Sequence, residues 1–281
     1  MRWLFIALSL ALLASHAVHE YFSGECHRDT ALEDYRLALE SCRKARALGW
    51  PFQWLKPAQY RVVLNDLGLA ETYGQRYKAA KNHLTDALQR YEQATPEGSQ
   101  WYASTMHNLG VLNRFLGHEK QAEIWYLKAV AMYGRFVDPC DPNATKAGAG
   151  LGGALNAQNK AGEAEVVLLT RSKQNDSCPV LSPYIKGLTL RVLAEAQTGN
   201  GKAAEALQTI DSAISLVKQA RGGESLELAY ALADRRASPS RPLYRMPRGR
   251  CACYSDARAH GRQWLAGCRD RKISSRRYIA G

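Results

Sequence analysis

The chain has 281 residues, 46% apolar and 23% charged, which is globular composition and excludes collagenous and disordered chains. Its formal charge of +12 sits at one end: residues 235–281 hold 13 Lys and Arg against 2 Asp and Glu, and residues 1–234 hold 25 against 24. A nucleic-acid-binding domain needs positive charge on its folded face, so the near-neutral body excludes that class.

The first element is an address. Met1-Arg2 precedes an uncharged run, Leu4 to Ala14, and Ser15 and Ala17 put small residues at −3 and −1 of a cut after Ala17. This layout predicts a secretory signal peptide over 1–17 and an exported chain, periplasmic or secreted; an uncleaved anchor is the rival reading. Export gives the cysteines a meaning. The body holds four, Cys26, Cys42, Cys140 and Cys178, an even number that permits two disulfides.

From residue 58 to 223 the sequence repeats every 42 residues. Leu67-Gly68, Leu109-Gly110, Leu151-Gly152 and Leu193-Ala194 stand one period apart. Ala80, Ala122, Ala164 and Ala206 follow twelve residues after each small residue, and Leu84, Tyr126, Leu168 and Ile210 follow sixteen after it. A large residue three before the Leu-Gly pair marks one face of a first helix; the Ala and large residues mark the facing side of a second. The small residues predict close approach of the two backbones. Turn signals separate the helices at Gly74, Gly117-His118, Asn159-Lys160 and Gly199-Asn200-Gly201. The expected fold is all-α: four helical hairpins over 58–223, stacked as a right-handed solenoid.

This pattern resembles the tetratricopeptide repeat, as in Leu64-Leu67-Gly68-Tyr77-Ala80-Leu84-Ala87 and Met106-Leu109-Gly110-Ala122-Tyr126-Ala129. The period of 42 is similar to the longer-helix variety of kinesin light chains and bacterial arrays. Four positions depart from the motif. Glu71 and Asn113 stand where a large apolar residue is usual, Gly148 replaces a bulky one, and Arg171 replaces the last Ala. The third full unit is therefore expected to pack most weakly. Carried back one period, the register puts Cys26 at the Gly place and Tyr35, Ala38, Cys42 and Ala45 on a second helix. A degenerate leading unit over 18–57, with a short first helix, is expected. The pairings expected are Cys26–Cys42 within its hairpin and Cys140–Cys178 between successive inter-unit loops.

Beyond the fourth unit, residues 224–236 start another first helix that breaks at Arg235-Arg236. Residues 237–281 then show no periodicity. Three readings of this basic tail stay open: a disordered segment, a metal-binding piece with Cys251, Cys253, His260 and Cys268, or an out-of-frame end of a longer array.

No catalytic constellation emerges, and no motif implies a cofactor or a metal. Gly148 to Gly153 looks like a phosphate loop, but it lies on the repeat register rather than after a strand. His83 reads as helix surface, and Glu163 and Glu165 as a solvated edge. Asn143-Ala144-Thr145 and Asn175-Asp176-Ser177 are glycosylation sequons in a secretory pathway that glycosylates, and loop residues otherwise. The resemblance implies that function resides on the concave face lined by first helices. Its register points there to Asn65, Tyr73, His107, Arg114, Phe115, Asn156, Arg191 and Glu195, a mixed groove for an extended protein or peptide, with Arg114 and Arg191 anchoring carboxylates. The repeat-packing places are Gly68, Ala80, Gly110, Ala122, Gly152, Ala164, Ala194 and Ala206. The expected function is a non-enzymatic scaffold that binds a protein partner, not nucleic acid. The docking array of a truncated enzyme and a membrane-tethered assembly factor are the alternatives.

Overall fold

The computed structural model describes residues 2–49, 53–221 and 231, with backbone alone for 2–16 and 221. Ten helices follow in order among them. These are α1 (Arg2–Ala31), α2 (Tyr35–Gly49), α3 (Pro57–Tyr73), α4 (Tyr77–Ala94), α5 (Gln100–Phe115), α6 (Glu119–Phe136), α7 (Pro142–Ala157), α8 (Ala161–Asp176), α9 (Pro183–Gly199) and α10 (Ala203–Arg221). They form five antiparallel hairpins. Residues 222–230 and 232–281, with the broken trailing helix and the basic tail, lie outside the described residues apart from Ala231. No helix among the described residues is long and apolar enough to cross a membrane.

First helices start on local signals. Pro57, Pro142 and Pro183 occupy opening positions, where the missing N–H costs nothing. Ser99, Asp141 and Ser182 cap α5, α7 and α9 by accepting backbone N–H bonds through their side chains.

The turns inside the hairpins repeat more strictly than their residues do. Glu33, Gln75, Gly117, Asn159 and Gly201 all have left-handed backbone, with φ of 61°, 59°, 73°, 62° and 76°. They are spaced by 42 without exception. In each turn the next N–H closes back on a carbonyl five residues earlier: Asp34 on Asp29, Arg76 on Glu71, His118 on Asn113, Lys160 on Leu155 and Lys202 on Gln197, at 2.8–3.0 Å. This is the Schellman closure, which satisfies carbonyls the helix end leaves open. Glu33, Gln75 and Asn159 adopt it without glycine, so the left-handed column does not show as a glycine column in the sequence.

The helices of each hairpin cross at the small-residue column. A Cβ on Gly68 would lie 2.5 Å from Leu84 Cγ, one on Gly110 2.8 Å from Tyr126 Cε1, and one on Gly152 2.6 Å from Leu168 Cγ. Ala194 and Ile210 share a core cluster at the fourth crossing. Ala80, Ala122 and Ala164 are fully buried beside them, and Ala206 is buried as well. In the leading hairpin the two positions hold Cys26 and Cys42, which are disulfide-bonded with Cα atoms 4.6 Å apart. Cys140 and Cys178 are bonded as well, across 38 residues.

Two expectations about packing need correction. The leading first helix is not short: α1, at 30 residues, runs unbroken through the apolar N-terminal segment, which contains no proline and no glycine before Gly24. The third full unit is not poorly packed either. Leu151, Ala154, Leu155, Ala164 and Leu168 all belong to one core cluster. At Gly148 the missing side chain is replaced from the opposite helix, since a Cβ there would lie 3.0 Å from Arg171 Nε and 3.5 Å from its Cγ. Both departures are one size exchange: the large side chain comes from α8 instead of α7. Burial pushes the Arg171 pKa down, as expected for a guanidinium laid along a packed surface.

Candidate functional site

First helices pack on one another along the array, α1 on α3, α3 on α5, α5 on α7 and α7 on α9, while second helices pack chiefly on first helices. The first-helix layer is therefore the inner one. Successive units are stapled on their second-helix side. Lys160 Nζ and Gln158 Nε2 both donate to the Glu123 carboxylate, at 2.9 and 2.7 Å. One period on, Lys202 Nζ and Asn200 Nδ2 donate to Glu165, at 2.8 and 2.6 Å. The lysines hold both carboxyl pKa values below the ordinary range. Glu165 is thus buried and clamped, not a solvated edge, whereas Glu163 is exposed.

The groove candidates divide. Asn65 is buried: it accepts from Asn108 Nδ2 at 2.9 Å and donates to Asp66 Oδ1 at 3.1 Å. Its amide serves the contact between α3 and α5 and does not face a partner. His107 is also withdrawn. Its Nδ1 is buried and its ring meets Tyr126 edge-on at 5.5 Å. Burial, helped by the nearby Lys146 charge, pushes its pKa down to about 3, so it is neutral at physiological pH. Asn156 is partly covered and donates to the Val192 carbonyl at 3.1 Å.

The remaining candidates keep an exposed edge. Tyr73 stacks on Tyr35 with centroids 3.8 Å apart and meets Phe115 edge-on at 5.2 Å, giving an aromatic row across three hairpins. Arg114 lies over Gly153, where a Cβ would come within 2.8 Å of its guanidinium, and sits 3.7 Å from Glu119. Arg191 and Glu195 are half-buried on α9.

One feature of this face has no trace in the repeat register. The Glu33 carboxylate, from the turn of the leading hairpin, accepts from Lys146 Nζ at 2.7 Å and from the Tyr184 hydroxyl at 2.9 Å. Lys146 stands on the same face of α7 as Gly150 and Gly153, and Tyr184 on the same face of α9 as Arg191 and Glu195. The bridge therefore spans the inner face from the first hairpin to the fourth and fifth. Sequence reasoning missed all three residues, because none matches a motif place and the bridge spans 113 and 151 residues.

Three other sequence readings change. His83 is not plain surface: its Nδ1 lies 2.7 Å from Glu71 Oε2, and Glu71 is buried. The pair explains the acidic departure at that place. Asn175 is buried in α8, accepting from Thr145 and donating to Thr189, so it is neither a loop residue nor an acceptor for a glycan. Asn143 is exposed at the start of α7. Among the described residues no group of His, Cys, Asp and Glu is arranged to hold a metal; Cys251, Cys253, His260 and Cys268 lie outside them.

The tetratricopeptide repeat family model matches residues 59–135, the first two full hairpins. The chain carries tetratricopeptide repeats. The array is also similar to solved structures of the nearly identical TPR-like repeats attributed to a Podosopora anserina kinesin light chain. One is 15% identical with a TM-score of 0.55, covering 74% of this chain and 97% of that one. A second, of a single-site variant of those repeats, is 15% identical with a TM-score of 0.57, covering 74% and 96%. At this identity the likeness concerns the fold alone. Among curated proteins none matches the chain in sequence. Tetratricopeptide repeats generally bind protein partners.

Proposed function

We infer that the protein is a non-enzymatic scaffold, acting after export, which holds an acidic protein or peptide segment against the inner face of the array. The observation that carries this is the Glu33 carboxylate seated on Lys146 and Tyr184. It supplies, within the chain, an example of the group this face accepts. Arg114, Arg191 and Lys146 give the face its cations, and the Tyr35–Tyr73–Phe115 row offers apolar contact beside them. Charge-assisted bonds to carboxylates give register, and the aromatic edges give contact area. Two disulfides fit an oxidising compartment, which supports the export reading drawn from the N-terminal segment.

The test is affinity capture from the exported fraction with the wild type and with an Arg114→Ala/Arg191→Ala variant, the bound proteins identified by mass spectrometry. The reading expects a partner that the folded variant loses and that a Lys128→Ala control on α6 retains. A partner kept by the groove variant and lost by the control would place recognition on the outer face and overturn it.

A further inference from the structure

Residues 53–56, just before α3, are tied to α4 and to α1 and display what lies between the ties. Gln53 Oε1 accepts from Arg90 at 3.0 Å, and Arg90 is itself fixed by Asp86 and the Tyr60 ring. Lys56 Nζ donates to Glu20 on α1, and Gln59 Nε2 donates to the same carboxylate at 2.9 Å. Between these anchors Trp54 is 86% exposed and Leu55 74% exposed. Two adjacent large apolar side chains displayed between such ties make a contiguous apolar patch, the kind of surface that marks an interaction site. The same end of the molecule exposes Tyr21 and Val18 on α1, at 61% and 44%. It is also basic. Arg43, Lys44 and Arg46 lie in the second half of α2, with Glu40 the one acidic residue of that helix.

The direction of α1 decides what this rim faces. Glu20, the residue that Lys56 and Gln59 grip, lies six residues after Ala14, about 9 Å along the axis. From there α1 continues as one helix into the apolar run Leu4–Ala14. A tryptophan, a tyrosine and basic side chains beside the root of an apolar helix are the composition of a bilayer interface. There, aromatic rings sit at headgroup level and cations meet anionic lipid. The charge of this rim is mainly positive, which favours an anionic surface as its occupant.

We propose that the rim formed by Val18, Tyr21, Trp54 and Leu55, with the basic end of α2, seats the array on an anionic membrane surface. With residues 1–17 retained, the apolar run enters the acyl layer and the rim lies among headgroups. With them removed, Trp54 and Leu55 make the contact themselves. Either way the inner face stays open to a partner, so this assignment does not depend on what the groove binds.

The test places p-benzoylphenylalanine at Trp54 in the full chain and irradiates it with vesicles of phosphatidylcholine and phosphatidylglycerol. The same probe at Leu127, exposed on α6, is the control. Circular dichroism checks that both chains are folded. The expected result is a lipid adduct at 54 that is absent at 127 and reduced on phosphatidylcholine alone. Three results would overturn the proposal: no vesicle binding, binding without a lipid adduct at 54, or an adduct at 54 joined to a second copy of the chain.

Discussion

The leading hairpin and the inner hairpins cross at the same two positions, sixteen residues apart, and hold that crossing by different chemistry. In the inner ones a residue without a side chain lies under a large one: Gly68 under Leu84, Gly110 under Tyr126, Gly152 under Leu168. In the leading one Cys26 and Cys42 close the same contact covalently. The difference follows from position. An inner hairpin is covered on both flanks by neighbours, so apolar burial suffices. Among the described residues the helices of the leading hairpin pack on the rest of the array chiefly through α3, so less burial is available to them. A cross-link compensates, because it acts on the unfolded chain rather than through buried area.

The largest effect should come from removing that cross-link. Cys26→Ser/Cys42→Ser should lose about 3 kcal/mol, the value expected for a loop of this length. Urea unfolding should then show the leading hairpin melting before the inner ones. If the variant unfolds in one transition at the wild-type midpoint, the covalent crossing adds nothing.

An inner crossing can be broken from the other side. Gly110→Val should cost about 1–3 kcal/mol by overpacking. Tyr126 has nowhere to move, since a Cβ on Gly150 would also lie 2.5 Å from its ring. Thermal unfolding measures the loss, and a folded variant of wild-type stability would show that the crossing is looser than the distances state.

The size exchange in the third full unit sharpens the comparison. Arg171→Ala should cost about 1–2 kcal/mol, because it leaves the surface over Gly148 uncovered. Adding Gly148→Leu restores the large residue on the first helix and should recover part of that loss. A double-mutant cycle with no coupling between 148 and 171 would refute the exchange.

The smallest effect expected is in acid. Glu123 and Glu165 have folded pKa values below the ordinary carboxylate value. Their contribution is complete above that ordinary value, near 4.5. It is lost as pH falls through the depressed folded values. Lys160→Ala/Lys202→Ala should therefore flatten the decline of stability between neutral pH and acid, with only a slight change in the acid midpoint because the lysines are largely exposed. An unchanged acid profile would mean that the staples between units contribute nothing.

The groove was harder to read in advance than the crossings, for a physical reason. Motif places report which side of a helix a residue occupies, and they put Arg114, Arg191 and Tyr73 on the inner layer. They do not report how deeply neighbouring first helices cover that side. Asn65 and His107 share the register of exposed groove residues, yet the packing of α3 on α5 buries the first and Tyr126 covers the second. Glu71 looked like a flaw until His83, twelve residues on, supplied its partner.

What the sequence determined by itself is the frame of the 42-residue repeat: the hairpins, their crossings, and the cysteine pair that replaces one crossing. These are relations within a unit or between neighbours, set by helical pitch and side-chain size. What only the tertiary structure decided is everything that skips a unit or trades sides within one. The exchange between Gly148 and Arg171 depends on which helix fills a shared space. The bridge from Glu33 to Lys146 and Tyr184 depends on the path of the whole array, because the curvature that brings residues 113 and 151 positions apart into contact is the sum of every crossing between them.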